Sequence, residues 1–204
     1  MVTVNFSHKL IRHLELYLWQ ANNFKLPASG YDLVLLLPVS PDIWSDKQTL
    51  LLSASSLFRQ SRWDTTYGIL KTLRASLNDE DYLSIFNVDI IEPDAYIVQQ
   101  VKRYTANQFD GEINAPISLI GGVTNQSITA IKSTTLDKLK LNCSYSIRTL
   151  NNNFSGILQS IIPIGNNTVD VQLHFKIQKG EYDCLYSDIE QLNVYTDGLL
   201  THFS

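Results

Sequence analysis

Two stretches of the chain, Tyr31–Leu37 and Leu83–Ile91, are apolar at nearly every position. Successive strand residues point to opposite faces, so runs this continuous predict strands covered on both sides. Leu10, Ile11, Leu14, Tyr17, Leu18 and Ala21 precede them at a spacing that lines one helical face, with Ser7 placed as an N-terminal cap. Leu16 and Trp19 fall off that stripe, which calls for a second apolar contact such as another subunit. Asn22–Asn23 supplies a stop, and Pro27 keeps Leu26 out of helical geometry.

Between the two apolar runs, Ser45 and Gln48 have capping-box spacing and open a predicted helix carrying Leu50, Leu51, Ala54, Leu57 and Phe58. Asp64 is placed as the cap of a second helix, with Tyr67, Leu70, Leu73 and Leu77 inward and Asn78 as a left-handed stop. Glu92-Pro93-Asp94 begins a third helix that reaches Thr105. Proline suits a first helical turn and the two acids suit its positive dipole end. The order β-α-α-β-α over residues 31–105 favours parallel neighbours joined by crossover helices.

The texture changes after Asn107. Residues 108–116 read as a loop. Ile117, Leu119, Gly121 and Val123 alternate as a strand, with Ile128, Ala130 and Lys132 as its hairpin partner. Cys143, Tyr145, Ile147 and Thr149 mark a half-buried strand. Phe154, Ile157, Leu158, Ile161 and Ile162 have helical spacing, although their isoleucines suit a strand equally. Val169 to Ile177 alternates most cleanly of all. It turns at Lys179–Gly180 into Tyr182–Tyr186, with Asp188 as cap of a last turn and Asp197–Gly198 as a final bend. The predicted class is mixed, α/β or α+β, as a single domain over residues 1–204. A central sheet with flanking helices fills its N-terminal half, its C-terminal half adds antiparallel strands, and the layer changes near 107–115.

Composition narrows the function classes. With 204 residues, 44% of them hydrophobic, the chain can build a substantial core, and 18% charge is too little for a disordered tail. The net charge of −4 lacks the basic excess that meets phosphate, so no nucleic-acid partner is expected. No apolar stretch approaches the ~20 residues of a membrane span, and the N-terminal twenty residues make a poor signal peptide. Cys143 and Cys184 offer one disulfide at most and no closely spaced metal ligands. A cytoplasmic, reduced protein without metal or cofactor is the plain expectation. Five formal glycosylation sites, at Asn5, Asn125, Asn142, Asn153 and Asn166, read as chance matches in a chain rich in Asn, Ser and Thr.

Candidate chemistry is sparse. Asp32, Asp89 and Glu92, with Asp94 beside them, stand at strand ends, where ligands gather in open α/β sheets. Carboxylates there can act as a general base or hold a metal, but helix capping explains Glu92 and Asp94 without either. Gly121–Gly122 could admit a phosphate to the backbone, yet no Walker lysine follows and a turn accounts for the pair. His8 and His13 are five apart and do not share the face that an HExxH zinc motif needs. His174 lies on the wet side of its strand, and His202 stands near the terminus. No GxSxG elbow is present, and the cysteines read as small buried side chains. The first helix, with Tyr17 and Trp19 and with His8, Lys9, Arg12 and His13 clustered at one end, could rest on a membrane surface, but Glu15 and Gln20 dilute its charge. Asp32–Ser40, a following helix and Asp81–Ile91 resemble von Willebrand type A domains in order. Pro38–Ser40 lacks their DxSxS metal motif, so no family is assigned.

The favoured function is a non-catalytic, oligomeric protein–protein interaction or assembly protein, the expected partners being another protein or further copies of the chain. The alternatives are a small hydrolase or nucleotide-processing enzyme using Asp32, Asp89 or Glu92, and a small-ligand binding module.

Overall fold

Leu33–Pro38 forms strand β1, the middle strand of a five-stranded sheet. A computed structural model describes residues 4–39, 47–59, 61–121, 127–165 and 170–195. The remaining elements in chain order are α1 (Val4–Ala21), β2 (Gln48–Ser53), α2 (Arg62–Ser76), α3 (Asp79–Ser84), β3 (Ile85–Ile90), α4 (Tyr96–Thr105), β4 (Gly111–Pro116), β5 (Ser127–Lys132), α5 (Thr135–Lys138), β6 (Ser144–Thr149), β7 (Asn153–Ile164), β8 (Asp170–Ile177), β9 (Gly180–Leu185) and β10 (Ile189–Val194). The class is α+β: helices concentrate in the N-terminal half and antiparallel strands in the C-terminal half, as the hydrophobic pattern predicts. No described helix is long and apolar enough to cross a membrane.

The chain divides into two compact units, Met1–Leu18 with Gly30–Thr134, and Trp19–Ser29 with Thr135–Ser204. In the first, the strand order is β3-β2-β1-β5-β4. Val34 and Leu36 of β1 face a core shared with Leu10 and Leu14 of α1 and Ile69 and Leu73 of α2. Leu33 and Leu35 face a second core with Val98 and Val101 of α4. Both faces of β1 are dry, which is why its sequence is apolar throughout.

The run Leu83–Ile91 has a different fate. Leu83 ends up exposed in α3, and β3 is an edge strand whose Phe86, Asn87 and Asp89 meet solvent. Only Ile85, Val88 and Ile90 reach the core. The pairing of β2 with β3 slips between Gln48↔Ile85 and Thr49↔Asn87, which leaves Phe86 as an extra residue. That bulge restores inward placement to Val88 after Ile85, and it is the reason a nearly continuous apolar run does not need two dry faces.

The predicted helix after Ser45 is also overturned. Residues 48–53 are strand β2, antiparallel to β1 and parallel to β3, and only Ser55–Arg59 coils, as a 3-10 turn. Leu50 and Leu52 enter one core and Leu51 the other, so tertiary pairing on both edges overrides the helical spacing. The cap itself, Ser45, lies outside the described residues. Residues 111–116, expected as loop, are strand β4 on β5. Ile117–Ile120, expected as strand, is a 3-10 turn closed by Gly121 at φ +87°. Val123 lies outside the described residues.

Ser7 sits within α1 and is buried, so it caps nothing, whereas Asn23 at φ 52° ends that helix as expected. The cap of α2 is Ser61, not Asp64, which lies in the first turn: the Ser61 hydroxyl accepts the Asp64 N–H at 3.1 Å and donates to the Asp64 carboxylate at 2.6 Å. Asn78 is not a left-handed stop. It has φ −68° and caps α3.

In the second unit all neighbours are antiparallel, in the order β10-β6-β7-β8-β9. Tyr145, Ile147, Val171, Leu173 and Phe175 point inward as the alternation predicts. Phe154–Ile162 lies within the long strand β7, so strand propensity prevails over helical spacing. Asp188 ends a 3-10 turn and leads into β10, without capping a last helix. Asp197–Gly198 lies outside the described residues.

Leu16 and Trp19 are both almost fully buried within the single chain, so neither is left for another subunit to cover. The Trp19 ring packs edge-on against Phe24 and Tyr186, with centroids 5.8 and 5.5 Å away. Arg12 and Glu15 are buried too, paired at 2.7 Å, and Arg12 also donates to the Ser133 hydroxyl at 3.0 Å. The polar residues that α1 would have offered to a membrane surface are thus partly turned inward.

Candidate functional site

Three surfaces concentrate the available chemistry, two in the first unit and one in the second. The first is the end of the sheet where the strand-end acids stand. Asp32 precedes β1; its N–H donates to Ser53 O at 2.7 Å and its carboxylate takes the Lys102 ammonium at 2.7 Å. Asp89, exposed on β3, accepts from the Asn87 amide at 3.0 Å. Glu92 follows β3 and meets Arg62 at 3.4 Å. Each acid therefore reaches a different donor, and exposed pairs of this kind contribute about 0–1 kcal/mol.

Glu92 and Asp94 do not open α4, which corrects the capping explanation. The Ala95 N–H closes a turn onto Glu92 O at 3.0 Å, Ala95 is the cap residue, and no acid stands in the first turn. Pro93 lies in that turn, where its carbonyl accepts from the Gln99 side chain at 3.0 Å. Gly121 supplies the positive φ that ends a 3-10 turn, its N–H bonded back to Ser118 O at 3.1 Å. Gly122 lies outside the described residues.

In the second unit, β8 and β9 form a two-residue hairpin that sets His174 directly opposite Asp183. The imidazole Nδ1 is 2.6 Å from Asp183 Oδ1, and Nε2 is 3.7 Å from Glu181. The other oxygen of Asp183 accepts from the Gln172 amide at 2.6 Å. The hydrogen bond to Asp183 raises the His174 pKa above its ordinary value, and the charges of Asp183 and Glu181 add to it.

Beside this pair opens a shallow cleft of about 200 Å³, lined by Thr149, Asn151, Gln172, Tyr182, Asp183, Cys184, Leu185 and Asp188. Burial, then the neighbouring Asp170, raises the Asp188 carboxyl. Burial, then the surrounding aspartates, pushes the Cys184 thiol up to about 12, so it is a poor nucleophile at neutral pH. The residue opposite His174 on β7 is Ser160. The face holds an acid–imidazole pair, with the second ring nitrogen, Nε2, 3.7 Å from Glu181. Among the described residues no group of three or more His, Cys, Asp or Glu is arranged to hold a metal ion.

The third surface is the outer side of α2. Thr65, Ile69, Leu73 and Leu77 are buried and Leu70 packs half-buried on the same core, so of the predicted inner set only Tyr67 turns outward. Trp63 is 78% and Tyr67 63% exposed. Lys71 and Arg74 continue the same outer stripe, at i+8 and i+11 from Trp63, positions that stack on one helical face. Arg74 is held by Asp79 at 2.6 Å and lies 5.1 Å from the Tyr82 ring centre. Leu83 of α3 and Phe86 of β3 are also more than half exposed, and α2, α3 and β3 pack on one another.

The class these surfaces define is an α+β protein built on two five-stranded sheets, and nothing narrower. The chain matches no family model, no curated protein and no solved structure.

Sequence spacing did not single out the α2 stripe or the His174–Asp183 pair. For the pair a signal existed: His174 alternates onto the wet face of β8, and a two-residue turn at Gln178–Lys179 brings Asp183 opposite it. For the stripe, Trp63 and Tyr67 are four apart, a spacing that fits an inward Tyr67 as well as an outward one.

Proposed function

We propose that this chain is a non-catalytic protein–protein interaction or assembly protein that works through the α2–α3–β3 flank of its first unit. The observation that supports this is the exposure of Trp63 and Tyr67 on α2, with Leu83 and Phe86 exposed on the neighbouring α3 and β3. Burying one such side chain is worth roughly 1.5–3 kcal/mol, so a partner surface that takes several gains a large driving force. Tryptophan and tyrosine are also the residues on which interface energy concentrates. The free thiols Cys143 and Cys184 suit a reducing compartment such as the cytoplasm.

Native mass spectrometry and light scattering of the purified chain test this function. Self-association, or a stoichiometric partner that remains bound, supports it. A strict monomer that retains no partner removes it.

The cleft beside Asp183 favours a second reading, a small-ligand module for donor-rich or cationic molecules. A thermal-shift screen of small amines and guanidines against the wild type and Asp183→Asn tests it. Stabilisation that is lost in the variant supports that reading, and no stabilisation by any compound removes it.

A further inference from the structure

We infer that the partner of the α2 surface is a second copy of this chain, with the two α2 helices antiparallel across a two-fold axis. This rests on the interaction reading above and names the occupant of the same surface.

The argument lies in how the stripe is ordered. Its N-terminal half is aromatic, Trp63 and Tyr67, and its C-terminal half is cationic, Lys71 and Arg74. A surface divided in this way complements its own reverse. When two such helices run antiparallel, Trp63 meets the partner's Arg74 and Tyr67 meets the partner's Lys71. Both pairs share nearly the same midpoint, beside Gly68 and Ile69, so one two-fold axis satisfies both. Each contact then occurs twice, giving four cation–ring pairs from four residue types. Packed helices lie about 8–10 Å apart, which lets a long cationic side chain come within ~6 Å of a ring centre.

Arg74 is prepared for this role. Asp79 at 2.6 Å and the Tyr82 ring at 5.1 Å already hold the guanidinium, so little side-chain freedom remains to be lost on docking. The acids Asp79, Glu80 and Asp81 directly follow α2 and balance the gathered cations, which would otherwise repel across the axis. An acidic partner protein would engage only the cationic half of the stripe and leave Trp63 and Tyr67 wet. An anionic membrane could take both halves, but nothing about a membrane requires their order along the helix.

Sedimentation velocity of the full chain over a concentration series provides the test, with three samples besides the wild type: Trp63→Ala/Tyr67→Ala, Lys71→Gln/Arg74→Gln, and the two variants mixed. Circular dichroism checks that each exposed-site variant stays folded. The wild type should show a monomer–dimer equilibrium, and each variant alone should dimerise roughly tenfold more weakly or worse. The mixture should recover part of the dimer, because the cations of the first variant meet the aromatics of the second across one symmetric half. Association that ignores both variants, or a mixture no better than its components, overturns the two-fold arrangement while leaving the interaction reading in place. A wild type that is monomeric throughout and meets only another protein, or binds phosphatidylglycerol vesicles, also overturns it. A chain that neither self-associates nor binds a protein removes both.

Discussion

Trp19→Ala is the sharpest probe of how the second unit is held together. Trp19 is fully buried and meets Phe24 and Tyr186 edge-on at 5.8 and 5.5 Å. Truncating a buried aromatic to alanine costs about 3–5 kcal/mol in lost transfer and cavity terms, and edge-on pairs of this kind carry about 0.5–1.5 kcal/mol each within such totals. One contribution acts in the opposite sense. The indole N–H is buried without a hydrogen-bond partner among the described residues, and an unsatisfied buried donor costs roughly 1–3 kcal/mol. Trp19→Ala should therefore cost about 3 kcal/mol, near the low end of the range, and lower Tm by on the order of 10 °C in a chain of this size. Trp19→Phe keeps most ring contact and drops the unpaired donor, so its cost should be less than half as large. Urea melts followed by far-UV circular dichroism at two protein concentrations give both numbers. A loss below about 1 kcal/mol for alanine would refute the packing argument. A loss that depends on protein concentration would place Trp19 between subunits, contrary to its contacts here.

Other outcomes follow from single sites. Gly156→Ala places a methyl 2.9 Å from both Ile177 Cγ2 and the Lys176 carbonyl; since the backbone oxygen cannot move cheaply, a loss of about 1–3 kcal/mol in the same melts is expected, and a neutral variant would show the β7–β8 contact to be looser than described. His174 has a folded pKa raised above its ordinary 6.5 by Asp183, so the stability it contributes is fully present below about pH 6.5 and fades as pH rises through the folded pKa. An NMR titration of His174 should give a value above 6.5, and His174→Gln should flatten that part of the pH dependence; a value at or below the ordinary one would contradict the 2.6 Å pairing. With its thiol at about 12, Cys184 should react with iodoacetamide at pH 8 far more slowly than Cys143, as read by peptide mass spectrometry; equal labelling would mean that β9 opens readily.

The sequence by itself determined which segments are apolar on two faces, on one face or on none. It therefore placed β1, β6, β8 and β9 closely, ended α1 at Asn22–Asn23 and set helices in the first half against antiparallel strands in the second. Tertiary structure decided what spacing leaves degenerate. Leu50, Leu51 and Leu52 satisfy a helical stripe as well as a doubly buried strand, and only the flanking β1 and β3 selected the strand. Phe86 could be assigned outward only once its bulge against β2 was known. Leu70, Leu73 and Leu77 face the core as their spacing predicts, but Tyr67, about 60° round the helix from Leu70, stands at the margin of that stripe, and packing left it in solvent. The candidate sites depend most on this second kind of information. His174 and Asp183, Lys102 and Asp32, and Arg62 and Glu92 are each brought together from different elements, and periodicity within one element carries no record of what the next one places opposite it.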